Sequence, residues 1–184
     1  MNLLALDSCV SSCSAALWRG DSGSLGAGEI IAQSFTPMAR GQAEALMPMV
    51  SRVMASSGLD FEALDRLAVG VGPGSFTGVR IALASAKGLA LALARPLIGV
   101  TSLEAVAAEA VAAMGLEGGR LLVTLAAGRK DFYVQSFAVS KGVFSPIAPM
   151  IEPGAATLDG LVDLFRALDT EKDNGTGPVV LAGN

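Results

Sequence analysis

The sequence predicts an α/β fold in which three sequential strands precede a strand–helix–strand unit. Two short apolar runs, residues 2–6 and 13–18, flank a polar turn and indicate a hairpin, and residues 29–35 indicate a third strand, at the sheet edge. A uniformly apolar run over residues 67–72 is typical of a buried strand. A glycine-rich loop and a long helix connect it to residues 97–100, so these last two strands should be parallel with a right-handed crossover.

The first helix is predicted from apolar residues that recur every three or four positions between Ala43 and Met54. It should end near Gly58. Pro48 lacks an amide proton and crowds the carbonyl group four residues earlier, so the regular helix should either start near Ala45 or kink at the proline.

Two further helices are predicted. One should occupy residues 77–95, where Pro96 terminates it, and the other should occupy residues 102–114. The second of these has a clear start signal, because Thr101 and Glu104 have the spacing of a capping box.

The second half of the chain repeats the opening pattern. Residues 120–127 and 132–139 predict paired strands around a polar turn. A helix over residues 158–168 and a strand over residues 179–183 should follow.

Two lobes are therefore expected, an N-terminal one over residues 1–104 and a C-terminal one over residues 105–184. The second lobe contains fewer predicted elements than the first. We expect it to be abbreviated, or truncated from a native chain that continues beyond Asn184.

Composition excludes several classes of protein. Of the 184 residues, 52% are hydrophobic and 16% are charged, which permits a sizeable core and excludes intrinsic disorder. The formal net charge of −4 provides no basic surface for autonomous nucleic-acid binding. Tight binding to a nucleic acid without the help of a partner is therefore not expected.

Histidine is absent from the sequence, which removes Ser-His and Cys-His nucleophile pairs and every imidazole metal ligand. Cys9 and Cys13 match neither a CxxC redox pair nor a four-ligand zinc site. We expect both to be reduced, small apolar residues, and we expect no metal site.

No membrane span or export signal is predicted. The mean hydropathy is high, at +0.55, but Lys87, Arg95 and Pro96 interrupt the most apolar stretch. The N-terminal apolar run has no basic start and ends at Asp7, which predicts a cytoplasmic protein. The apolar surplus indicates instead that another subunit covers part of the chain.

The glycine-rich loop GVGPGSFTG is the main candidate for a functional site. Glycines at the head of a helix free the backbone to bind phosphate through amide groups. The loop lacks the GK[ST] ending of a P-loop and the spacing of a dinucleotide fingerprint. The candidate nucleotide-binding residues are Asp7, Gly72, Gly74, Ser75, Thr77 and Gly78. The alternative is a tight strand-to-helix turn capped by Ser75 or Thr77.

The string GPGSFTGVRIALASAKGLALAL closely resembles the bacterial TsaB (YeaZ) family of tRNA threonylcarbamoyladenosine biosynthesis proteins. The similarity extends through LLALDSCVSSCSAALW, QAEALMPMV, PLIGVTSLEAVA and DFYVQSF, and so covers about residues 2–140. The resemblance implies the actin-like ATPase fold, which is hexokinase-like and RNase H-like. Each lobe of that fold has three strands, a helix, a strand, a helix and a strand, which is the order predicted above.

The same resemblance implies an accessory role. Family members are similar to the threonylcarbamoyl transferase TsaD but act as its non-catalytic partner, and they join the ATPase TsaE. The complex modifies the adenosine beside the anticodon in tRNAs that read ANN codons. The chain is expected to have no cofactor of its own, since ATP and Mg²⁺ would be used by the partner subunits.

Asp7 stands where an actin-like ATPase needs an acidic residue at the end of its first strand. The turn after it, SCVSS, has no glycine for the close approach of a triphosphate, so Asp7 more simply accepts hydrogen bonds from that turn. A small-molecule kinase or ATPase of the same fold is the alternative function. Peptidase activity on the partner is a further alternative, but the sequence contains no histidine and no convincing catalytic dyad to support it.

Two positions depart from the family pattern. Gln42 stands where many members have histidine, and residues 126–128 read Ala-Ala-Gly where many members have Asp-Ala-Arg. Roles of those groups cannot be carried over to this chain. Arg129 and Lys130 follow directly and could partly replace the lost positive charge. The simpler alternative is that they are solvated turn residues.

The partner surface is predicted on two helices, because each has apolar residues on more than one face. One face can cover the sheet and the other is left for a transferase, or for a second copy of the chain when the transferase is absent. The alternative is that these residues fill the chain's own core. On the first reading, a charge at Met49 or Val53 should abolish co-purification and leave the fold intact. The predicted interface residues are Met47, Met49, Val50, Val53, Met54, Ile81, Leu83, Ala84 and Leu91.

Overall fold

A computed structural model describes residues 1–21, 28–127, 131–140, 148–157, 159–163 and 179–183. The chain divides into two compact units, Met1–Ser102 and Leu103–Asn184. The sequence-based boundary, after residue 104, lies close to this division. Each unit is built on its own sheet.

The first unit contains a five-stranded sheet. In space the strands follow the order β3-β2-β1-β4-β5. β1, β2 and β3 pair antiparallel, whereas β4 and β5 run parallel to β1. The predicted hairpin, the edge strand and the parallel strand–helix–strand unit are all confirmed. The strands are β1 (Asn2–Asp7), β2 (Ser12–Gly20), β3 (Gly28–Pro37), β4 (Arg66–Gly70) and β5 (Leu97–Val100).

Two helices, α1 (Gln42–Ser57) and α2 (Phe76–Leu93), pack on one face of this sheet. Inward side chains of the central strands and of both helices form a single hydrophobic core. The alternation of strand side chains sends every second residue to this face. The strand contribution to the core comes from Leu4, Leu6, Cys13, Ala15, Leu17, Leu67 and Val69.

The helix α1 begins at Gln42, before the start near Ala45 that was one of the two alternatives for the effect of Pro48. Gly41, with a φ of 91°, turns the chain into the helix, and the Ala45 amide donates to the Gly41 carbonyl oxygen at 3.1 Å. Of the two alternatives, the start near Ala45 is wrong, because the helix runs from Gln42 through Pro48, which lies at an exposed position. A kink at the proline stays a prediction. Gly58, with a φ of 69°, ends the helix where the sequence predicted.

The second unit contains a four-stranded sheet, and α3 (Ser102–Met114) leads into it. Leu103 and Ala107 of α3 pack on the strand residues Leu121, Val123 and Phe137. The sheet order is β8-β7-β6-β9, with β9 parallel to β6 and the other pairs antiparallel. The strands are β6 (Gly119–Ala126), β7 (Asp131–Val139), β8 (Ala148–Thr157) and β9 (Val179–Gly183).

The strand β8 was not predicted, because its sequence APMIEPGAAT contains two prolines and a glycine. An edge strand tolerates proline, since only one side of its backbone must pair, and β8 pairs only with β7 in this sheet. The helix predicted over residues 158–168 is seen at residues 159–163, and its remainder lies outside the described residues.

The second sheet repeats the strand order and the strand directions of β3, β2, β1 and β4. This repeated mixed sheet, with helices after the third and fourth strands of the first unit, is the actin-like, RNase H-like arrangement. The predicted fold class is therefore confirmed.

Candidate functional site

Asp7 ends β1 and faces the end of β4. Its two carboxylate oxygens accept the backbone amide of Cys9 at 3.0 and 3.1 Å. A Cβ atom at Gly70 would lie 2.5 Å from Asp7 Oδ2, so glycine at this position leaves room for the carboxylate. Asp7 thus accepts a hydrogen bond from the turn that follows it, as predicted from the sequence.

The glycine loop is packed against the turn between β1 and β2. A Cβ atom at Gly74 would overlap the Cys9 carbonyl oxygen, and one at Gly78 would overlap the Ser8 carbonyl oxygen. Two hydrogen bonds hold the contact: Ser8 Oγ donates to the Gly78 carbonyl oxygen at 2.8 Å, and the Ser75 amide donates to the Cys9 carbonyl oxygen at 2.6 Å. The loop and the turn therefore interlock backbone to backbone.

The remaining loop residues also have structural roles. Gly72 has a φ of 86°, a conformation that glycine adopts without strain. The Ser75 side chain caps α2 by accepting the Gly78 amide at 3.3 Å, as the turn reading predicted. Thr77 is exposed in the first turn of α2.

The structure thus brings the six candidate nucleotide-binding residues into one neighbourhood. The space beside Gly74 and Gly78 is occupied by the backbone of Ser8 and Cys9. Nucleotide binding by these residues stays a prediction. Among the described residues, no group of three histidine, cysteine or carboxylate side chains could hold a metal ion.

Cys9 and Cys13 are free, buried thiols. Burial, the negative charge of Asp7 and a hydrogen bond to Asp7 raise the pKa of the Cys9 thiol to about 12. Burial and the Asp7 charge also raise the pKa of the Cys13 thiol. Both thiols therefore stay protonated in the folded chain at neutral pH.

We expect the stability of the chain to fall as the pH rises above about 9. The unfolded Cys9 thiol loses its proton near pH 9 while the folded one keeps it up to about 12, so ionisation favours the unfolded state by about 1.4 kcal/mol per pH unit in that window. Urea denaturation at pH 8 and pH 10 measures the effect. Cys9→Ala should lose less stability over the same interval, and an equal loss in both proteins would contradict the assignment.

Four of the predicted interface residues lie in the chain's own core. Met49, Val50, Val53 and Met54 are at most 2% exposed and pack with the strands and with α2. Their assignment to a partner surface was wrong, because this apolar face of α1 packs on the sheet. The alternative that they fill the core is the correct one.

The other predicted interface residues are more accessible. Met47, Ile81 and Leu83 are half-buried, and Ile81 and Leu83 pack against the edge of the core. Ala84 is exposed, and Leu91 is 85% exposed.

The outward side of α2 forms a continuous exposed surface, which we call the α2 face. At 100° per residue its members fall on one side of the helix. Among the 18 residues of α2, only 17% are buried, and its length and composition alone would also suit a membrane span. An apolar helix this exposed is typical of an interaction surface. The α2 face consists of Phe76, Thr77, Arg80, Ala84, Lys87, Gly88, Leu91 and Ala92.

Of the positions compared with the family pattern, the structure describes Gln42, Ala126 and Ala127. Gln42 is the first residue of α1, and its Nε2 donates to the Met38 carbonyl oxygen at 3.2 Å. Ala126 ends β6, and the Ala127 amide donates to the Asp131 carbonyl oxygen at 2.8 Å. Gly128, together with Arg129 and Lys130, lies outside the described residues.

Comparisons with known proteins agree with the fold. A family model described as TsaD, tRNA N6-adenosine threonylcarbamoyltransferase, matches residues 30–150. The tRNA threonylcarbamoyladenosine biosynthesis protein TsaB of Escherichia coli is 38% identical over 103 residues, 56% of this chain and 41% of that protein. TsaB of Haemophilus influenzae is 39% identical over 111 residues, 60% of this chain and 43% of that protein. The matched region spans less than half the length of these curated relatives.

Two solved structures are also similar. YeaZ from Pseudomonas aeruginosa superposes with a TM-score of 0.70 at 29% identity, over 85% of this chain and 66% of that chain. A protein described as similar to peptidase YeaZ, from the same organism, gives a TM-score of 0.71 at 30% identity with the same coverage. The chain therefore belongs to the TsaB (YeaZ) family, which shares its sequence pattern with the tRNA N6-adenosine threonylcarbamoyltransferases.

Proposed function

We propose that this chain is a non-catalytic partner that binds and activates a TsaD-type threonylcarbamoyl transferase in the cytoplasm. The product is threonylcarbamoyladenosine in tRNAs that read ANN codons, and a TsaE-type ATPase supplies the nucleotide-dependent step. The names of the two TsaB relatives and the transferase family match support the pathway. In this role tRNA is met through the transferase, and a homodimer forms when the transferase is absent.

The observation that carries the proposal is the α2 face. Leu91 is 85% exposed and Phe76 is 71% exposed on a helix whose other side is packed in the core. Ala84 and Gly88 between them are small, and a Cβ atom at Gly88 would meet no atom within 4 Å. Small residues let the backbone of a second helix approach closely, while leucine and phenylalanine provide apolar area to bury. A helix from a partner subunit fits this surface.

The glycine interlock argues against catalysis by this chain alone. An ATPase would need the loop amides to face a phosphate, whereas the Ser75 amide is bonded to the Cys9 carbonyl oxygen. Asp7, which would position the metal in an actin-like ATPase, bonds the backbone of its own turn. A nucleotide would have to break these hydrogen bonds in order to bind, and the energy needed to break them lowers its affinity.

Leu91→Glu should abolish co-purification with the transferase and leave the isolated chain folded. The side chain is already in solvent, so the substitution costs little stability. In the complex, however, the substitution removes apolar contact area and buries a carboxylate, which costs several kcal/mol of affinity. Affinity capture with the tagged transferase measures the loss. Ile30→Glu, at a 56% exposed site on the edge strand β3, is the matched control and should bind normally.

The same pair of variants tests the pathway in cells. Depletion of the chain should lower threonylcarbamoyladenosine in tRNA, as measured by mass spectrometry of nucleosides. The wild-type chain and Ile30→Glu should restore it, and Leu91→Glu should not. An unchanged nucleoside level after depletion would refute the pathway.

The second candidate function is a small-molecule kinase or ATPase, which Asp7 and the clustered loop residues favour. Calorimetry of the isolated chain with Mg-ATP separates the two candidates. Micromolar binding with turnover would favour the enzyme, and the absence of heat and turnover would favour the accessory subunit.

A further inference from the structure

The charge on the α2 face differs in sign from the charge of the whole chain. The helix α2 contains Arg80 and Lys87 and no aspartate or glutamate, while the chain has a formal net charge of −4. Both basic residues are exposed. They lie seven positions apart, or nearly two turns, so they stand in one row along the helix with Ala84 between them.

Arg80 is held in place by a neighbour on the same face. Its guanidinium carbon lies 4.1 Å from the centroid of the Phe76 ring. Such a cation–π contact orients the guanidinium without neutralising its charge. Arg80 can therefore still pair with a carboxylate brought by another molecule.

The adjacent helix leaves this charge uncompensated. The exposed charged residues of α1 are Glu44 and Arg52, one of each sign. Across the α1 and α2 surface of the first unit, the described charges therefore sum to a positive patch centred on α2. A patch of one sign favours partners of the opposite sign and disfavours its own copy.

The positive patch should weaken a symmetric dimer of the chain. A twofold dimer brings the same patch of each copy together, so Arg80 and Lys87 of one copy would face those of the other across the seam. Like charges at an interface are repulsive, and the repulsion acts as a selection against the wrong partner. A partner helix with carboxylates beside small residues would gain attraction at the same positions.

We propose that Arg80 and Lys87 make the α2 face selective for an acidic helix of a different protein over a second copy of this chain. The inference rests on the proposed function, because it takes the transferase to be that protein. Lys87 and Arg80 are then specificity-determining residues. The homodimer is the weaker assembly, and the charge pair keeps the face available for the transferase.

Opposite salt dependences test the proposal. Between about 50 and 500 mM NaCl, screening should weaken transferase binding and strengthen self-association. Lys87→Glu should weaken transferase binding about five- to tenfold at low salt and remove most of its salt dependence, and it should strengthen self-association, because Arg80 of one copy then meets Glu at position 87 of the other. Titration binding and sedimentation velocity give the two readouts.

Arg66→Glu is the matched control, since it changes the net charge of the chain equally. Arg66 is exposed at the start of β4, and the alternation with core residues Leu67 and Val69 places it on the sheet face away from α2. It should alter neither assembly. An equal effect of Arg66→Glu and Lys87→Glu would overturn the proposal, because total charge and not the α2 face would then be responsible.

The remaining outcomes separate this inference from the proposed function. If the wild-type chain binds the transferase but is insensitive to salt and to Lys87→Glu, the charge assignment fails and the proposed function stands. If the wild-type chain does not bind the transferase at any salt concentration, both fail. Sedimentation with vesicles containing about 30% phosphatidylserine tests a membrane surface as the acidic occupant, and binding there that Lys87→Glu removes would overturn the protein partner.

Discussion

Val53→Asp should unfold the first unit. Val53 is 2% exposed in the core between α1 and the sheet, so the substitution removes packed methyl groups and places a carboxylate in a cluster of apolar side chains. We expect a loss of about 4 kcal/mol or more, which is most of the stability of a domain at the low end of the usual range of about 5–15 kcal/mol. Urea denaturation followed by circular dichroism measures the loss.

The matched control is Ser51→Asp, two residues away on the exposed side of the same helix. It should change stability by no more than about 0.5 kcal/mol. If Val53→Asp retained the wild-type urea midpoint, the burial of this face of α1 would be wrong. The outcome also tests the assignment of Val53 to the core, because a residue that only contacts a partner would tolerate the charge in the isolated chain.

The second large effect is expected from a glycine-to-alanine substitution in α2, which we compare at two positions, Gly78 and Gly88. Gly78→Ala should destabilise the chain by about 2–4 kcal/mol, because the new Cβ atom would overlap the Ser8 carbonyl oxygen. Both partners of this clash are backbone or Cβ atoms, so no side-chain rotation can relieve it. The helix α2 would have to move away from the turn between β1 and β2, breaking the bond from Ser8 Oγ to the Gly78 carbonyl oxygen.

Gly88→Ala should have the opposite sign. A Cβ atom at Gly88 meets no atom within 4 Å, and alanine is favoured over glycine in a helix interior by about 0.5–1 kcal/mol. Thermal or urea unfolding of the two variants in parallel compares the signs directly. If both variants were stabilised, the interlock of the glycine loop with the Ser8–Cys9 turn would be refuted.

Gly74 and Gly78 show why the sequence reveals the glycine-rich loop but does not show what the loop packs against or binds. The spacing of GVGPGSFTG indicates backbone freedom at the head of a helix, and it serves equally well for a phosphate or for a close protein backbone. The occupant of that space is the turn at Ser8 and Cys9, some 70 residues earlier in the chain. Only the pairing of β1 beside β4 brings the turn there.

The helix α1 shows a similar limit. The period of its apolar residues predicts a helix and correctly places its end at Gly58. The same periodicity does not distinguish an apolar face that packs on the chain's own sheet from one that binds a partner, because both kinds of buried surface are made of the same apolar residue types. The structure assigns Met49 and Val53 to the core and leaves Leu91 of α2 in solvent.

Local patterns were thus sufficient for most elements, for the parallel and antiparallel directions of the first sheet and for the two-lobed plan, because helical and strand periodicities arise from interactions within a few residues. The edge strand β8, the filled space beside the glycines and the identity of the exposed helix face depend on contacts between segments far apart in the chain. Such contacts form only when the sheet brings those segments together, and so the three-dimensional packing decided them.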